Sequence, residues 1–536
     1  MEPRRLPTSA AWAVGSDLAE KLIDGFRQDH NGTYPRKMAI VLWAWAMTDH
    51  GVVESEILRL VGAEPIYDSY GGVSDVRLIP LSDLGRPRID VVVVPSGLHR
   101  DLFPEKLQLL DRAIRLAAND TGTEYPNYVR DSSEKIYQEL IQAGNITPEQ
   151  AVILSRSRIF LEEAGTYGPN LDSPVSASDT WENDSKLGNL FIDRMSYIYG
   201  DGIWSSKLSN GEDLSGLQRD LLQDNLAGVE AAAQHTNSNL YGFIDNDDVY
   251  QYLGGISLAV RTVTGKAPDL YVTDAKDPDR SQVSSLHDFF SKELRSRYYN
   301  PQWMKGMMEQ GYSGAREMDK FTEYLWGWET TVPDLVSENT WNEVHEIYVQ
   351  DKYGMGLKEF FDENNPWASQ ALAGRLLETA RKDRWHPSPE VKKELVEQYE
   401  QSVQDYGVTC CHHTCGNLAL QEYMQGVLPT PNSEPSSSSA SFSKKDSSSS
   451  SSSHHHKPSS SEKSSGYNES KSKGFGSQAA AKPVPSDTSE DEVKGFVMEA
   501  AETRISQPSS SSAPLLGVAL VLLAVFAIWI GFRGKR

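Results

Sequence analysis

Between Arg36 and Asn119, hydrophobic positions alternate between unbroken runs and helical stripes. Met38 to Ala46 is almost wholly apolar, the pattern of a strand buried on both faces. A stripe through Ile57, Leu58, Leu60 and Val61 then predicts a helix that stops at Gly62. Val76 to Pro80 and Ile89 to Val94 predict further strands, and Leu107 to Ala118 an amphipathic helix. Strands alternating with helices predict a parallel, flavodoxin-like sheet flanked by helices, with ligands beyond the carboxyl ends of the strands.

From about Ser132 the helical period dominates. Thr147-Pro148-Glu149-Gln150 forms a capping box with proline at the first helical position, and the helix it opens is expected to run through Val152, Ile153 and Ile159. Glycine- and asparagine-rich turns follow at Gly165 to Asp172 and at Tyr199 to Gly211. A helix led by Ser388-Pro389 carries Val391, Leu395, Tyr399, Val403 and Tyr406 on one face and ends at Gly407. The expected layout is an α/β domain over 1–130 and a mainly helical domain over 131–426.

Beyond Gly426 the pattern disappears. Residues 427–512 are dominated by serine and lack the apolar content to fold, so they read as a disordered linker. Ala513 to Phe532 is apolar and uncharged, long enough at ~1.5 Å per residue to cross a bilayer as one transmembrane helix. Arg533, Lys535 and Arg536 follow in the basic tail 533–536. The expectation is a single-pass membrane protein with a C-terminal anchor. Which side the body occupies stays open, because the basic end argues for a body outside while the N-terminus lacks the apolar run of a secretory signal.

Charge narrows the partners. With 75 acidic against 52 basic side chains the net charge is -23, which argues against nucleic acid and suits a soluble, self-repelling body or one that meets cations. No phosphate-cradling glycine loop and no Gly-x-Ser-x-Gly elbow occurs, so any ATP used with this chain is hydrolysed by a partner.

All three cysteines fall between Val408 and Asn417, with two histidines among them. Cys411, His412, His413 and Cys415 are the candidate metal ligands, since thiolate and imidazole bind zinc, cobalt, nickel and copper well. On a helix Cys411 and His412 each share a face with Cys415. A Cys410 to Cys415 disulfide, or thiols buried beside hydrogen-bonded histidines, are the alternatives. His99, Arg100 and Asp101 follow the strand ending at Val94 and are the candidate catalytic residues; Asp101 capping a helix and pairing with Arg100 accounts for them equally well. Trp303, Tyr312 and Trp326, together with Tyr241, offer flat aromatic surface for a large planar ligand, or simply core. Asp245, Asp247 and Asp248 lack the glutamate that closes a calcium loop and read as a capped loop.

Several blocks occur in one order: Arg5-Leu6-Pro7-Thr8, Leu84-Gly85-Arg86-Pro87-Arg88-Ile89-Asp90-Val91, Arg100-Asp101-Leu102-Phe103-Pro104, Trp181-Glu182, Tyr250 to Gly255, Asn300-Pro301-Gln302-Trp303, Gly311-Tyr312 and Cys411 to Asn417. Together they resemble the cobaltochelatase large subunit, in the family that includes the large subunit of magnesium chelatase. The Cys411 to Asn417 ending is similar to archaeal cobaltochelatase-type members. The resemblance covers roughly Arg5 to Gly426 and matches the C-terminal part of longer chains. It implies ATP-dependent insertion of a divalent metal, cobalt first with magnesium or nickel as alternatives, into a tetrapyrrole. It also implies two partners, an AAA+ ATPase subunit and a subunit with a metal-ion-dependent adhesion fold. Around Tyr241-Gly242 the sequence departs from the His-Asp pair of aerobic-pathway cobaltochelatases. A tetrapyrrole- or metal-binding surface protein without catalysis, or an inactive fragment, is the alternative expectation.

Overall fold

The computed structural model describes residues 2–144, 146–408, 414 and 416–428. Strand β1 (Lys37–Leu42) is followed by a hairpin of β2 (Ala63–Tyr67) and β3 (Val73–Leu78), then by β4 (Asp90–Pro95). Next come β5 (Ile159–Leu161), β6 (Tyr197–Tyr199), a small hairpin of β7 (Ile203–Trp204) and β8 (Lys207–Leu208), and finally β9 (Ala231–Thr236), β10 (Asp269–Asp274) and β11 (Gln282–Ser285). Seven of these form one sheet in the order β11-β10-β9-β1-β4-β5-β6. The run from β10 to β5 is parallel, while β11 and β6 close the edges antiparallel.

The apolar runs explain the centre of the sheet. Every residue of β1 and β4 is buried, and each large aliphatic side chain so covered contributes about 1.5–3 kcal/mol. β1 stops at Leu42, short of Ala46, because Trp43 to Trp45 leave the sheet before the short turn of helix Ala46–Asp49. One face of the sheet is covered by helices Ser9–Asp29 and Val52–Val61. A Cβ on Gly15 would lie 2.3 Å from the Val52 carbonyl oxygen, so this crossing requires glycine.

The lower ends of the strands are tied by charge. Asp90 is buried between Lys37 at 3.0 Å and Arg158 at 2.9 Å. Burial pushes the Lys37 ammonium down to about 8 against the pull of Asp90. Arg88, 1% exposed, donates to the Gly62 and Ile79 carbonyls at 2.6 and 2.8 Å and pairs with Asp120 at 2.8 Å. The arginine-rich block therefore clamps the hairpin and the helix before it onto β4.

The sheet draws strands from both sides of residue 130, with β5, β6 and β9–β11 all lying in the stretch read as helical. Ile159 belongs to β5, not to the capped helix, which is Pro148–Ser155 and ends at Arg156. After β11 the regular elements among the described residues are all helices, the last being Leu418–Val427. Its centre is the long helix Tyr312–Thr331, on which Trp326, Trp328 and Phe321 are buried against helix Pro366–Arg381 and the preceding loops. No helix among the described residues is long and apolar enough to cross a membrane. Residues 429–536, with the serine-rich linker and the expected transmembrane segment, lie outside the described residues.

Candidate functional site

β1 has β4 on one side and β9 on the other, so the loops leaving the carboxyl ends of β1 and β9 diverge. A crevice must open where neighbouring connections part in this way. Two adjoining cavities fill it. One, of about 150 Å³, is lined by Trp45, Gln234, His235, Tyr241, Lys276 and Glu293 among others. The second, of about 590 Å³, lies between the start of helix Ser9–Asp29 and the same loops and shares Trp45, Ser238, Tyr241 and Lys276. Asn237 bridges the loops at their base, donating to Thr48 Oγ1 at 3.1 Å and Asp49 at 3.3 Å.

The wall formed by residues 237–246 is held by helix Leu286–Ser296 and the residue that caps it. The Glu293 carboxylate accepts the N–H groups of Phe243 and Ile244 at 2.7 to 3.0 Å. Arg297 donates to the Asn239 and Tyr241 carbonyls at 2.7 and 3.2 Å. Burial pushes Glu293 up to about 7 despite those N–H donors. Leu240 and Tyr241 stand exposed at the rim, 85% and 63%, and supply apolar surface for a ligand to cover.

The crevice floor carries polar atoms with nothing to bond. Gln234 Oε1, His235 Nε2 and the Trp45 indole N–H are all buried without a hydrogen-bond partner. Leaving such atoms unpaired costs about 1–3 kcal/mol each, which is tolerated most readily where a ligand completes them. His235 Nε2 faces Asp49 Oδ2 at 3.6 Å, beyond hydrogen-bonding distance. Burial pushes His235 down to about 4, so the imidazole is neutral. Burial and the neighbouring Glu54 carboxylate push Asp49 up to about 6.

A second cleft, about 340 Å³, opens between the ends of β1 and β4, lined by Trp43, Gly97, Tyr167, Asp172, Asp247 and Asp248. Burial, with Asp247 and Asp172 nearby, pushes Asp248 up to about 6. Asn246 caps the short helix Asp247–Val249, accepting from the Asp248 N–H at 3.0 Å. No group of three or more His, Cys, Asp or Glu side chains among the described residues is placed to hold a metal ion. Cys411, His412, His413 and Cys415 lie outside the described residues.

Of the residues singled out from the sequence, Tyr241 lies on the crevice. His99 is fully buried behind it, with Nε2 2.9 Å from Glu54. Arg100 is buried as well, forking onto Asp101 at 2.7 and 3.1 Å and donating to the Glu163 and Thr166 carbonyls at 3.2 Å. Asp101 also accepts from the Tyr167 hydroxyl. Arg100, Asp101 and Tyr167 tie the loop after β5 to the helix after β4, while His99 binds helix Val52–Val61. Trp326 is 1% exposed, its N–H on the Val175 carbonyl at 2.9 Å and the Arg375 guanidinium 5.2 Å from its ring. Trp303 packs edge-on against Tyr298 at 5.2 Å, and Tyr312 is exposed at the start of its helix. The structure does not gather these aromatic residues around one cavity.

Sequence reasoning missed Gln234, His235, Asp49, Glu293 and Lys276. The segment Ala231 to Thr236, Ala-Ala-Ala-Gln-His-Thr, has no β-branched run to mark it as a strand. Its signal was the short distance from Gly228 to the Asn/Ser-rich loop at 237–239, too short for a helix of ordinary length.

The family model described as CobN/Magnesium Chelatase matches residues 1–392. The aerobic cobaltochelatase subunit CobN of Sinorhizobium sp is 30% identical over 392 residues, 72% of this chain and 29% of that protein. The CobN subunit of Pseudomonas aeruginosa aerobic cobaltochelatase is 27% identical over 407 residues, 76% of this chain and 31% of that one. An uncharacterised protein of Methanocaldococcus jannaschii is 30% identical over 398 residues, 74% and 31%. Among solved structures, the catalytic subunit of cobaltochelatase from Mycobacterium tuberculosis superposes with a TM-score of 0.68 at 31% identity, covering 75% of this chain and 32% of that chain. The chain thus spans about a third of the length of these relatives.

Proposed function

The chain belongs to the CobN/magnesium chelatase family, and we propose that it is a large-subunit-type component of a chelatase that inserts a divalent metal, cobalt first, into a tetrapyrrole. The crevice between β1 and β9 is the macrocycle's seat. The observation that carries this reading is the conjunction there of an exposed Tyr241 and Leu240 rim with the buried, unpartnered Gln234, His235 and Trp45 atoms. A flat ligand needs apolar faces and a few placed polar groups. Metal insertion must also remove pyrrole protons, for which a neutral imidazole is suited.

Cys411, His412, His413 and Cys415 would bring the metal as substrate, and ATP would be used by separate AAA+ and adhesion-type subunits. The apolar run from Ala513 to Phe532 supports a membrane tether for the body, with the serine-rich stretch as its leash.

Fluorescence quenching of the whole chain by a metal-free corrin, with deuteroporphyrin alongside, tests the seat. Saturable binding in the micromolar range is expected; no binding to a folded chain by either probe would overturn it. A rival reading is capture of the macrocycle without catalysis, for which the exposed rim and the unpartnered floor atoms suffice. ATPase subunits that accelerate metal insertion exclude it; binding indifferent to them supports it.

A further inference from the structure

Beneath the crevice, His235 is connected to a buried acid that metal insertion has not been asked to use. β9 and β10 pair in register, so His235 and Thr273 lie side by side, and His235 Nδ1 is 3.0 Å from Thr273 Oγ1. The same Oγ1 is 3.3 Å from Oε2 of Glu56 on helix Val52–Val61. His235, Thr273 and Glu56 are all nearly fully buried, and Glu56 Oε1 has no partner. Thr273 has a single proton, so it cannot donate to both neighbours. With Glu56 ionised, Thr273 donates to Glu56, His235 donates from Nδ1, and Nε2 presents a lone pair. With Glu56 protonated, every bond reverses and Nε2 carries the proton.

We propose that Glu56, Thr273 and His235 form a proton relay in which His235 takes a proton from the crevice at Nε2 while its Nδ1 proton passes through Thr273 to Glu56. The N–H bond to the donor breaks and one forms at Nε2. The Nδ1 proton moves to Thr273 Oγ1, and the Thr273 proton moves to Glu56 Oε2. The imidazole is neutral before and after, and the negative charge passes from Glu56 to the pyrrole nitrogen that awaits the metal. Water in the emptied crevice takes the proton back along the same path. Identifying the donor as a pyrrole N–H rests on the macrocycle reading above; the relay itself does not.

Burial fits each part to this work. It pushes His235 down to about 4, which disfavours a lasting imidazolium, and Glu56 up to about 8, close to where a base is most effective. The charged and titrating groups that face the pair are Asp49 from the loop after β1 and Asp274 from β10. Lys276, 3.2 Å from Asp274, and Lys292, Glu293 and Arg297 line the crevice around them.

Nitrogen NMR of the whole chain labelled in histidine reads the relay directly, with the His235 signal identified by its loss in His235→Gln. The proton should sit on Nε2 at lower pH and swap to Nδ1 with a midpoint near Glu56's value of about 8. Thr273→Val and Glu56→Gln should abolish the swap, and Thr273→Ser should restore it. A single tautomer in the wild type from about pH 6 to about pH 9, or the same swap in Glu56→Gln, overturns the proposal. The wild-type titration needs no variant to fold. It is also read without a macrocycle, so its outcome is separate from that of the quenching experiment.

Discussion

Glu56→Gln isolates one buried carboxyl as a source of pH-dependent stability. Burial raises Glu56 from an ordinary 4.5 to about 8, so between those values the folded chain keeps a proton that the unfolded chain has shed. Unfolding then releases a proton, and stability falls as pH rises through that window. Below 4.5 both states are protonated and nothing is lost; above about 8 both are ionised and the loss is complete. At roughly 1.4 kcal/mol per pH unit, moving from about pH 5 to about pH 8 takes about 3 to 4 kcal/mol from the wild type that the glutamine chain retains. Other titrating groups are common to both chains and cancel in the difference. So does the packing offset of the amide, which is the same at every pH. Urea denaturation of both chains at stepped pH reads the effect as a wild-type midpoint that drops relative to the variant. Parallel curves over the whole range would mean that Glu56 ionises normally in the folded chain, and the buried acid would have to be given up.

Arg88→Met strands the Gly62 and Ile79 carbonyls and the Asp120 carboxylate, and should cost about 3–5 kcal/mol in thermal or urea unfolding; a loss under about 1 kcal/mol contradicts the clamp. Gly314→Ala would set a Cβ 1.7 Å from the Met307 carbonyl oxygen. It should destabilise the chain by at least about 1–3 kcal/mol, with an unchanged melting temperature the refuting result. Tyr241→Ala, at an exposed rim position, should leave melting within about 0.5 kcal/mol of wild type and weaken deuteroporphyrin binding by about tenfold; equal quenching curves would place the macrocycle elsewhere. Replacing Cys411 and Cys415 together by serine should lower cobalt affinity by more than about tenfold in a competition titration, and retained affinity would remove that segment as a ligand.

The legible part of the fold was the part whose hydrophobicity is continuous. β1 and β4 are buried on both faces, and their sequences say so without help from any neighbour. β9 is equally central, yet its Ala231, Ala232 and Ala233 suit a helix as well as a strand. Only pairing with β1 and β10 decides it. β5 has three residues and one ladder partner on β4, too little for a periodic signal.

The crevice was hidden for a related reason. Trp45, Asp49, His235, Lys276 and Glu293 come from distant stretches, each unremarkable alone. The conspicuous motifs turned out to hold backbone: Arg86 donates to the Arg59, Leu60 and Pro87 carbonyls. Likewise Asn300 caps its helix by accepting from the Gln302 N–H at 2.9 Å. These blocks marked the family resemblance, and their pattern reflects the geometry of loop and helix ends.

The position of β1 between partners made far apart in the chain has a consequence for synthesis. β4 is completed soon after β1, but β9 appears only after the whole stretch from Leu42 to Ala231 has been added. At 5–20 residues per second that is roughly ten to forty seconds. Throughout it a strand that is apolar from Met38 to Leu42 presents an open edge, the kind of surface that templates wrong pairings. The crevice comes into being at the moment β9 covers that edge, because its floor is the seam between the two strands. A molecule that binds there meets finished chains and passes over nascent or misregistered ones, so occupancy would serve as a certificate of correct assembly.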